Sequence, residues 1–201
     1  MTFTSAEKLQ IAMLRDLGKP PKERELDFDF IGDAVNSNDI WAVDWKYSGL
    51  QLKVPTPPEV RLVCDILDMW DRLEQDFAKL SPVERARVQT QSYSSGPPHF
   101  EGFDGNNETD LMHIAGLLVN ELGRWSRFKG RGLNSHMPSI ETYNRLLAVW
   151  RPILDRKVKQ LGNYQFTADE IIAILREHIH PTHRHPLAGG GWSCDPAKLS
   201  P

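Results

Sequence analysis

The sequence predicts an all-α fold, a single compact multi-helix domain with a long central helix and a flexible C-terminal tail. Three segments, opening at Thr4, Ser81 and Thr167, carry a hydroxyl residue followed three positions later by a glutamate. This capping box satisfies free amides at the start of a helix. In the long segments apolar residues recur every three or four positions, which is the spacing of one helical face. No segment alternates apolar and polar residues between hairpin turns, so the pattern favours helices throughout.

Short helices are predicted near the N-terminus at residues 5–17, 28–35 and 40–47. A long helix should follow Pro58, from about Glu59 to Lys79. Its apolar residues form one stripe, which we expect to lie in the core. The stripe comprises Val63, Ile66, Leu67, Trp70, Leu73, Phe77 and Leu80.

The most informative helix is predicted from about Asn107 to Phe128 and carries two neighbouring apolar stripes, although a surface helix needs only one. Gly116 and Gly123 lie on the same stripe, and glycine inside a helix costs about 1 kcal/mol relative to alanine. Their position predicts that another backbone passes close to them. We therefore expect this helix to be central in the fold or to lie in a homodimer interface.

Two more helices and a tail complete the chain. One helix follows Pro138 and another follows Thr167, and residues 1–177 should form the helical domain. Residues 178–201 are rich in His, Pro and Gly. Four histidines in this tail could hold zinc or nickel, but its prolines and consecutive glycines favour a solvated end. These histidines are His178, His180, His183 and His185.

Composition excludes several classes of protein. The 201 residues, 40% of them hydrophobic, are enough for one domain with a core, and the net charge of −3 supplies no global basic field for nucleic acid. No apolar run approaches the roughly 18 residues that span a bilayer. The N-terminus lacks a secretory signal, and the only cysteines are Cys64 and Cys194. We expect a cytoplasmic protein with no membrane contact and two unpaired thiols.

The stretch "FEGFDGNNE", from Phe100 to Glu108, is the first candidate site. Its polar residues could bind a ligand, but they do not fit a calcium loop, because Thr109 stands where an EF-hand needs glycine. The interpretation we favour is a helix start, in which the two phenylalanines enter the core and Asn106 or Asn107 caps the helix. The candidate ligand-binding residues are Asp104, Asn106, Asn107 and Glu108.

The stretch "GRWSRFKGRGLNSH" is the second candidate site. Arginine binds phosphate and carboxylate bidentately, and aromatic rings can stack a base. The same cations could simply complement the end of a helix dipole, with Gly130 as a left-handed cap, and both interpretations stay open. The candidate residues are Arg124, Lys129, Arg131, Asn134 and His136.

These motifs resemble the pattern of the YfbU family of bacterial proteins. The resemblance rests on "GFDGNNE", on "GRWSRFKGRGLNSHMPSIETYNRLL", and on "WKYSGL" and "VCDILDMW" before and inside the long helix. It covers residues 5–177 and does not extend into the tail. It implies a small, cytoplasmic, mostly helical protein, and no activity or catalytic residue carries over from it.

Two functional hypotheses follow. The first is a helical regulatory or interaction module, dimeric in one version, whose loop from Lys129 to His136 binds an anionic group on a small molecule, a protein or RNA. The second is a phosphate- or nucleotide-directed hydrolase, with Asp104 and Glu108 as acid, base or metal ligands in a site shared across a dimer. The sequence contains no phosphate loop, nucleophile elbow or paired cysteine motif, and we expect no cofactor and no bound metal.

Overall fold

The computed structural model describes residues 3–93, 96–159, 164–186 and 192–193 of the chain. Within these residues the fold consists of eight α-helices joined by turns and short 3₁₀ segments, with one pair of two-residue strands. The all-α prediction is confirmed. The helices are α1 (Ser5–Leu17), α2 (Phe28–Asn36), α3 (Ile40–Lys46), α4 (Pro58–Lys79), α5 (Pro82–Gln91), α6 (Thr109–Gly116), α7 (Ile140–Lys159) and α8 (Ala168–Leu175).

The chain divides into two compact units. The first comprises Met1–Val63 and His113–Arg131, and the second comprises Cys64–Met112 and Gly132–Pro201. Each unit is described by itself below.

Two carboxylates organise the first unit by accepting backbone amides. Asp16, 3% exposed, accepts the amides of Glu25 and Leu26 and so holds the chain between α1 and α2. Asp44 accepts the amides of Leu52 at 2.9 Å and Val54 at 3.1 Å. These contacts hold the loop that follows α3 and its 3₁₀ turn at Ser48–Leu50, because a carboxylate can satisfy several amides that helices leave unpaired.

The second unit has its core on α4. The apolar stripe predicted for this helix is confirmed, with Ile66, Leu67, Trp70 and Leu73 at most 2% exposed. Helix α8 packs against α5 and α7. All three predicted capping boxes form, two of them at the starts of α5 and α8 in this unit and one at the start of α1 in the first.

The helix predicted from Asn107 to Phe128 forms, but its predicted end is wrong. Helix α6 ends at Gly116, a π-helical turn follows at Leu117–Glu121, and Gly123 then takes a left-handed conformation with φ of 63°. The amide of Arg124 donates back to the carbonyl of Leu118 at 2.9 Å. This left-handed termination ends the helix, and glycine is the residue that adopts it without strain.

The close backbone approach predicted at Gly116 and Gly123 is also wrong within the described chain. A Cβ atom built at either position would meet no atom within 4 Å. Gly123 is explained by its left-handed backbone rather than by a helix crossing. The homodimer, with a crossing between two copies at these glycines, stays a prediction.

The described part of the tail contacts the residues that precede it. Arg184 forms an ion pair with Glu177 at 2.6 Å and donates to the carbonyl of Ile179. His185–Pro186 pairs antiparallel with Trp192–Ser193. Cys194 lies outside the described residues, so the expectation of two unpaired thiols stays a prediction.

In the part of the chain that the structure describes, every helix is too short or too polar to cross a membrane.

Candidate functional site

The first candidate stretch is joined to residues 133–139 by backbone hydrogen bonds, all within the second unit. Phe103 donates its amide to the carbonyl of Leu133 at 2.9 Å, and its carbonyl accepts the amide of Ser135 at 3.0 Å. Gly102 has φ of 95°, and a Cβ there would lie 2.1 Å from the carbonyl oxygen of Leu133. Only glycine can therefore occupy this position without moving the backbone.

Asn134 connects the first candidate stretch and residues 133–139 at a second point. Its Oδ1 accepts the amides of Gly105 at 3.0 Å and His136 at 2.9 Å. A Cβ at Gly105 would approach the Asn134 side chain to 2.6 Å, so Gly105 provides the space that this contact needs. Of the residues predicted to bind an anion, Asn134 thus has a structural role, whereas His136 is exposed.

Glu108 is buried, 7% exposed, and its carboxylate accepts four hydrogen bonds. Oε1 accepts the amides of Ser139 and Ile140, both at 2.8 Å. Oε2 accepts the amide of Asp104 at 3.0 Å and the hydroxyl of Ser139 at 2.7 Å. Burial raises the pKa of Glu108, but these hydrogen bonds outweigh it and hold the pKa below its usual value. Glu108 therefore acts as an ionised cap on the first turn of α7.

Asp104 is similarly engaged. Its Oδ1 accepts the amide of Asn106 at 3.0 Å, and its Oδ2 accepts the side chain of Asn107 at 2.5 Å. These two bonds, with the nearby charge of His136, lower the pKa of Asp104 despite its burial. The predicted cap at Asn106 or Asn107 is corrected, since the side-chain oxygens that accept amides in this loop belong to Asp104 and Glu108.

The two phenylalanines of the stretch enter the core, as predicted. Phe100 and Phe103 are at most 1% exposed, and their rings lie 5.8 Å apart, edge to face. Tyr143 packs against both and donates its hydroxyl to the carbonyl of Gly102 at 2.9 Å. Burial raises the pKa of Tyr143. The buried residues of the stretch thus connect it to the loop before α7 and to the start of α7.

The cations of the second candidate stretch belong to the first unit. Arg124 holds its guanidinium 4.4 Å from the ring centroid of Trp45, which precedes the loop that Asp44 anchors. Arg131 lies 4.9 Å over the ring of Phe128, and Gly130 is left-handed with φ of 79°, as predicted. Lys129 is exposed.

A cavity of about 370 Å³ opens beside Trp45. Its lining combines two cations with polar and aromatic groups. Asp44 adds one carboxylate to the lining, and each of its oxygens accepts one backbone amide, from Leu52 and Val54. The lining residues are Asp44, Trp45, Ser48, Gln51, Lys53 and Arg124.

Comparison with known proteins identifies the family. The model of the YfbU domain matches residues 38–176, more than two thirds of the sequence. The chain belongs to the YfbU family. It is also similar to the UPF0304 protein MJECS11 of Methanocaldococcus jannaschii, with 27% identity over 122 residues. That alignment covers 58% of this chain and 66% of the relative, so the chain spans slightly less than two thirds of that protein's length.

The YfbU region includes both stretches singled out in the sequence, and the structure separates their roles. The loop around Glu108 supports the start of α7, whereas Arg124 faces an open cavity. Sequence reasoning missed Lys53, Ser48 and Gln51 as neighbours of Arg124. The "WKYSGL" motif was the available signal, because it contains Trp45 and Ser48, but nothing in its spacing links it to a residue some eighty positions later.

No three His, Cys, Asp or Glu side chains converge as metal ligands would among the residues that the structure describes.

Proposed function

We propose that this YfbU protein is a helical regulatory or interaction module that binds an anionic group, such as a phosphate or carboxylate, at the Trp45–Arg124 cavity. The observation that carries this proposal is the stacking of the Arg124 guanidinium on the Trp45 ring at 4.4 Å beside that cavity. Relative to the sequence hypothesis, the centre of the site moves from the loop between Lys129 and His136 to Arg124.

Stacking suits Arg124 for anion capture. Contact with an indole face restrains the guanidinium plane, so less side-chain entropy is lost when a ligand binds. No N–H of the Arg124 side chain donates to another described residue, so these donors are left for a bidentate contact with a phosphate or carboxylate.

Lys53 supplies a second cation to the same cavity. It is exposed and has a left-handed backbone with φ of 58°. Among the described residues neither Lys53 nor Arg124 lies within ion-pair distance of a carboxylate. These two cations outnumber the single carboxylate of the lining, Asp44, and with Ser48 and Gln51 as further hydrogen-bonding groups they favour a ligand with negative charge.

The hydrolase alternative finds less support. It requires Asp104 and Glu108 to exchange protons or hold a metal, yet their oxygens accept hydrogen bonds from the chain itself. Their lowered pKa values keep them ionised near neutral pH, which does not suit a general acid. These contacts favour a binding module over a catalytic one.

Thermal unfolding in the presence of inorganic pyrophosphate tests the proposal, because a ligand that binds only the native state raises Tm. We expect a concentration-dependent rise for the wild type. Arg124→Ala should weaken binding at least tenfold, since one charge-assisted contact is worth about 1.5 to 3 kcal/mol. Lys53→Ala should weaken it by a smaller factor.

Arg151→Ala is the matched control, since it removes an exposed arginine of the second unit that pairs with Asp65. It should bind pyrophosphate like the wild type. An unchanged affinity in Arg124→Ala, with the affinity lost instead in a Lys129→Ala and Arg131→Ala double variant, would return the site to the loop predicted from the sequence.

A further inference from the structure

The loop that brings Lys53 to the Trp45–Arg124 cavity is left-handed at two positions. Gln51 and Lys53, which both line the cavity, have φ of 49° and 58°. Residues other than glycine rarely adopt this conformation, and they keep it where contacts from the rest of the fold hold the chain in place. The place of Lys53 therefore depends on the groups that hold this loop.

The first turn of α1 holds the loop through two side chains. Lys8 donates from its Nζ to the carbonyl of Gln51 at 2.8 Å, and Ser5 donates its hydroxyl to the carbonyl of Leu52 at 2.6 Å. The amide of Leu52 in turn donates to Asp44 at 2.9 Å. The two residues directly before Lys53 are thus fixed by side chains from elsewhere in the first unit.

Helix α1 precedes the residues that the YfbU model matches, which are 38–176. Its contacts with Gln51 and Leu52 nevertheless reach into the matched region, at the loop that lines the proposed site. Helix α1 is thus joined to the matched region beside the cavity, within the first unit.

The charges at the cavity distinguish between anionic ligands. The lining contains two cations, Lys53 and Arg124, and one carboxylate, that of Asp44. Lys8 brings a third cation to the loop, and no carboxylate of the described residues lies within ion-pair distance of it. One carboxylate can satisfy Arg124 with a bidentate contact, so the remaining cations gain a partner only from a ligand with further negative charge.

We infer that this site selects a phosphate group with two or more negative charges, such as a diphosphate, over a single carboxylate, and that Ser5 and Lys8 are positioning residues for this selectivity. Their contacts hold the loop that carries Lys53, and the Lys8 ammonium adds positive charge beside it. The inference rests on the proposed function, since it names the ligand class of the same cavity.

Calorimetric titration of the full chain with inorganic pyrophosphate and with acetate tests this inference. The wild type should bind pyrophosphate about tenfold or more tightly than acetate, because pyrophosphate can contact Lys53 as well as Arg124. Ser5→Ala and Lys8→Met should each lower this ratio of affinities by about threefold or more, chiefly by weakening pyrophosphate binding. Lys8→Arg keeps a charged donor and should keep the ratio.

Lys22→Met is the matched control, because Lys22 is an exposed lysine of the same unit that makes no hydrogen bond to residues 51–53. It should keep the wild-type ratio. The inference is overturned if the wild type binds acetate as tightly as pyrophosphate, if either Ser5→Ala or Lys8→Met keeps the ratio, or if Lys22→Met lowers it as much as they do.

Arg124→Ala separates this inference from the proposed function. It should weaken the binding of both anions, and unchanged affinity for both would refute the proposed function itself. Loss of both affinities in Arg124→Ala, together with unchanged ratios in Ser5→Ala and Lys8→Met, would refute the selectivity alone.

Discussion

Glu108 accepts three backbone amides and one hydroxyl, and each of these donors is left without a partner when the carboxylate is removed. Glu108→Ala should therefore lower the free energy of unfolding by about 3 kcal/mol, measured by urea denaturation. Glu101→Gln, which changes an exposed carboxylate of the same stretch, is the control and should cost less than about 0.5 kcal/mol. Equal effects of the two substitutions would show that Glu108 does not cap α7.

Alanine substitutions at two glycines should have opposite effects on stability. Gly102→Ala would place a Cβ 2.1 Å from the carbonyl oxygen of Leu133 at φ of 95°, so we expect a loss of about 2 kcal/mol or more. Gly116→Ala has no neighbour within 4 Å and a helical φ of −58°, so alanine should stabilise the chain by up to about 1 kcal/mol. Thermal denaturation compares them, and a destabilised Gly116→Ala would indicate a contact outside the described chain.

At the scale of elements, the segment after α8 should make the stability of the fold depend on pH. His178 is exposed as a residue, but its ring packs against Trp70, and burial there, followed by the charge of Arg145, lowers its pKa below the ordinary value of 6.5. The unfolded chain consequently binds a proton more readily, and stability declines as the pH falls from 6.5 towards the folded value. His178→Phe keeps a ring beside Trp70 but cannot titrate.

Urea denaturation at a series of pH values measures this effect. The wild type should lose stability below pH 6.5, and His178→Phe should lose distinctly less over the same range. Carboxylates with a lowered pKa affect stability at lower pH. Glu108, whose ordinary pKa is 4.5, loses its contribution to stability only as the pH falls below that value. Identical pH profiles for the two chains would contradict the assigned environment of His178.

Helix boundaries show what local pattern could and could not predict. The capping boxes at Thr4, Ser81 and Thr167 involve residues three positions apart, so the sequence contains everything needed to find them. The end of α6 depends on Gly123 in a left-handed backbone, and the apolar spacing continued past it and hid the break.

The role of Glu108 could not be predicted, because its partners lie thirty-one and thirty-two residues away at Ser139 and Ile140. The same limit applies to Arg124 and Trp45, whose contact joins two motifs that the sequence shows only as separate. Residue types suggested anion binding, which stays a hypothesis, and only tertiary contacts distinguish an arginine beside a cavity, such as Arg124, from an asparagine that holds two loops together, such as Asn134.

For the whole molecule, substitutions in the first candidate stretch should lower stability, and substitutions in the second should lower the affinity for pyrophosphate. Asn106→Ala combined with Asn107→Ala removes one hydrogen bond to Asp104 and should cost about 0.5 to 1.5 kcal/mol, with affinity for pyrophosphate unchanged. Lys129→Ala combined with Arg131→Ala should cost about 1 kcal/mol at most, because Lys129 is exposed and Arg131, which is partly exposed, lies over the ring of Phe128. This double variant should weaken pyrophosphate binding less than Arg124→Ala does. Calorimetric titration after urea denaturation of each variant measures both quantities.

The most direct test of anion binding at Arg124 is a map of where pyrophosphate binds on the ¹⁵N-labelled chain. The account predicts saturable shifts at Ser48, Lys53, Arg124 and the Trp45 indole N–H, all abolished by Arg124→Ala, while the amides of Asp104 and Glu108 stay unchanged. Shifts confined to residues 104–108, or no saturable shift at the Trp45 indole, would contradict it.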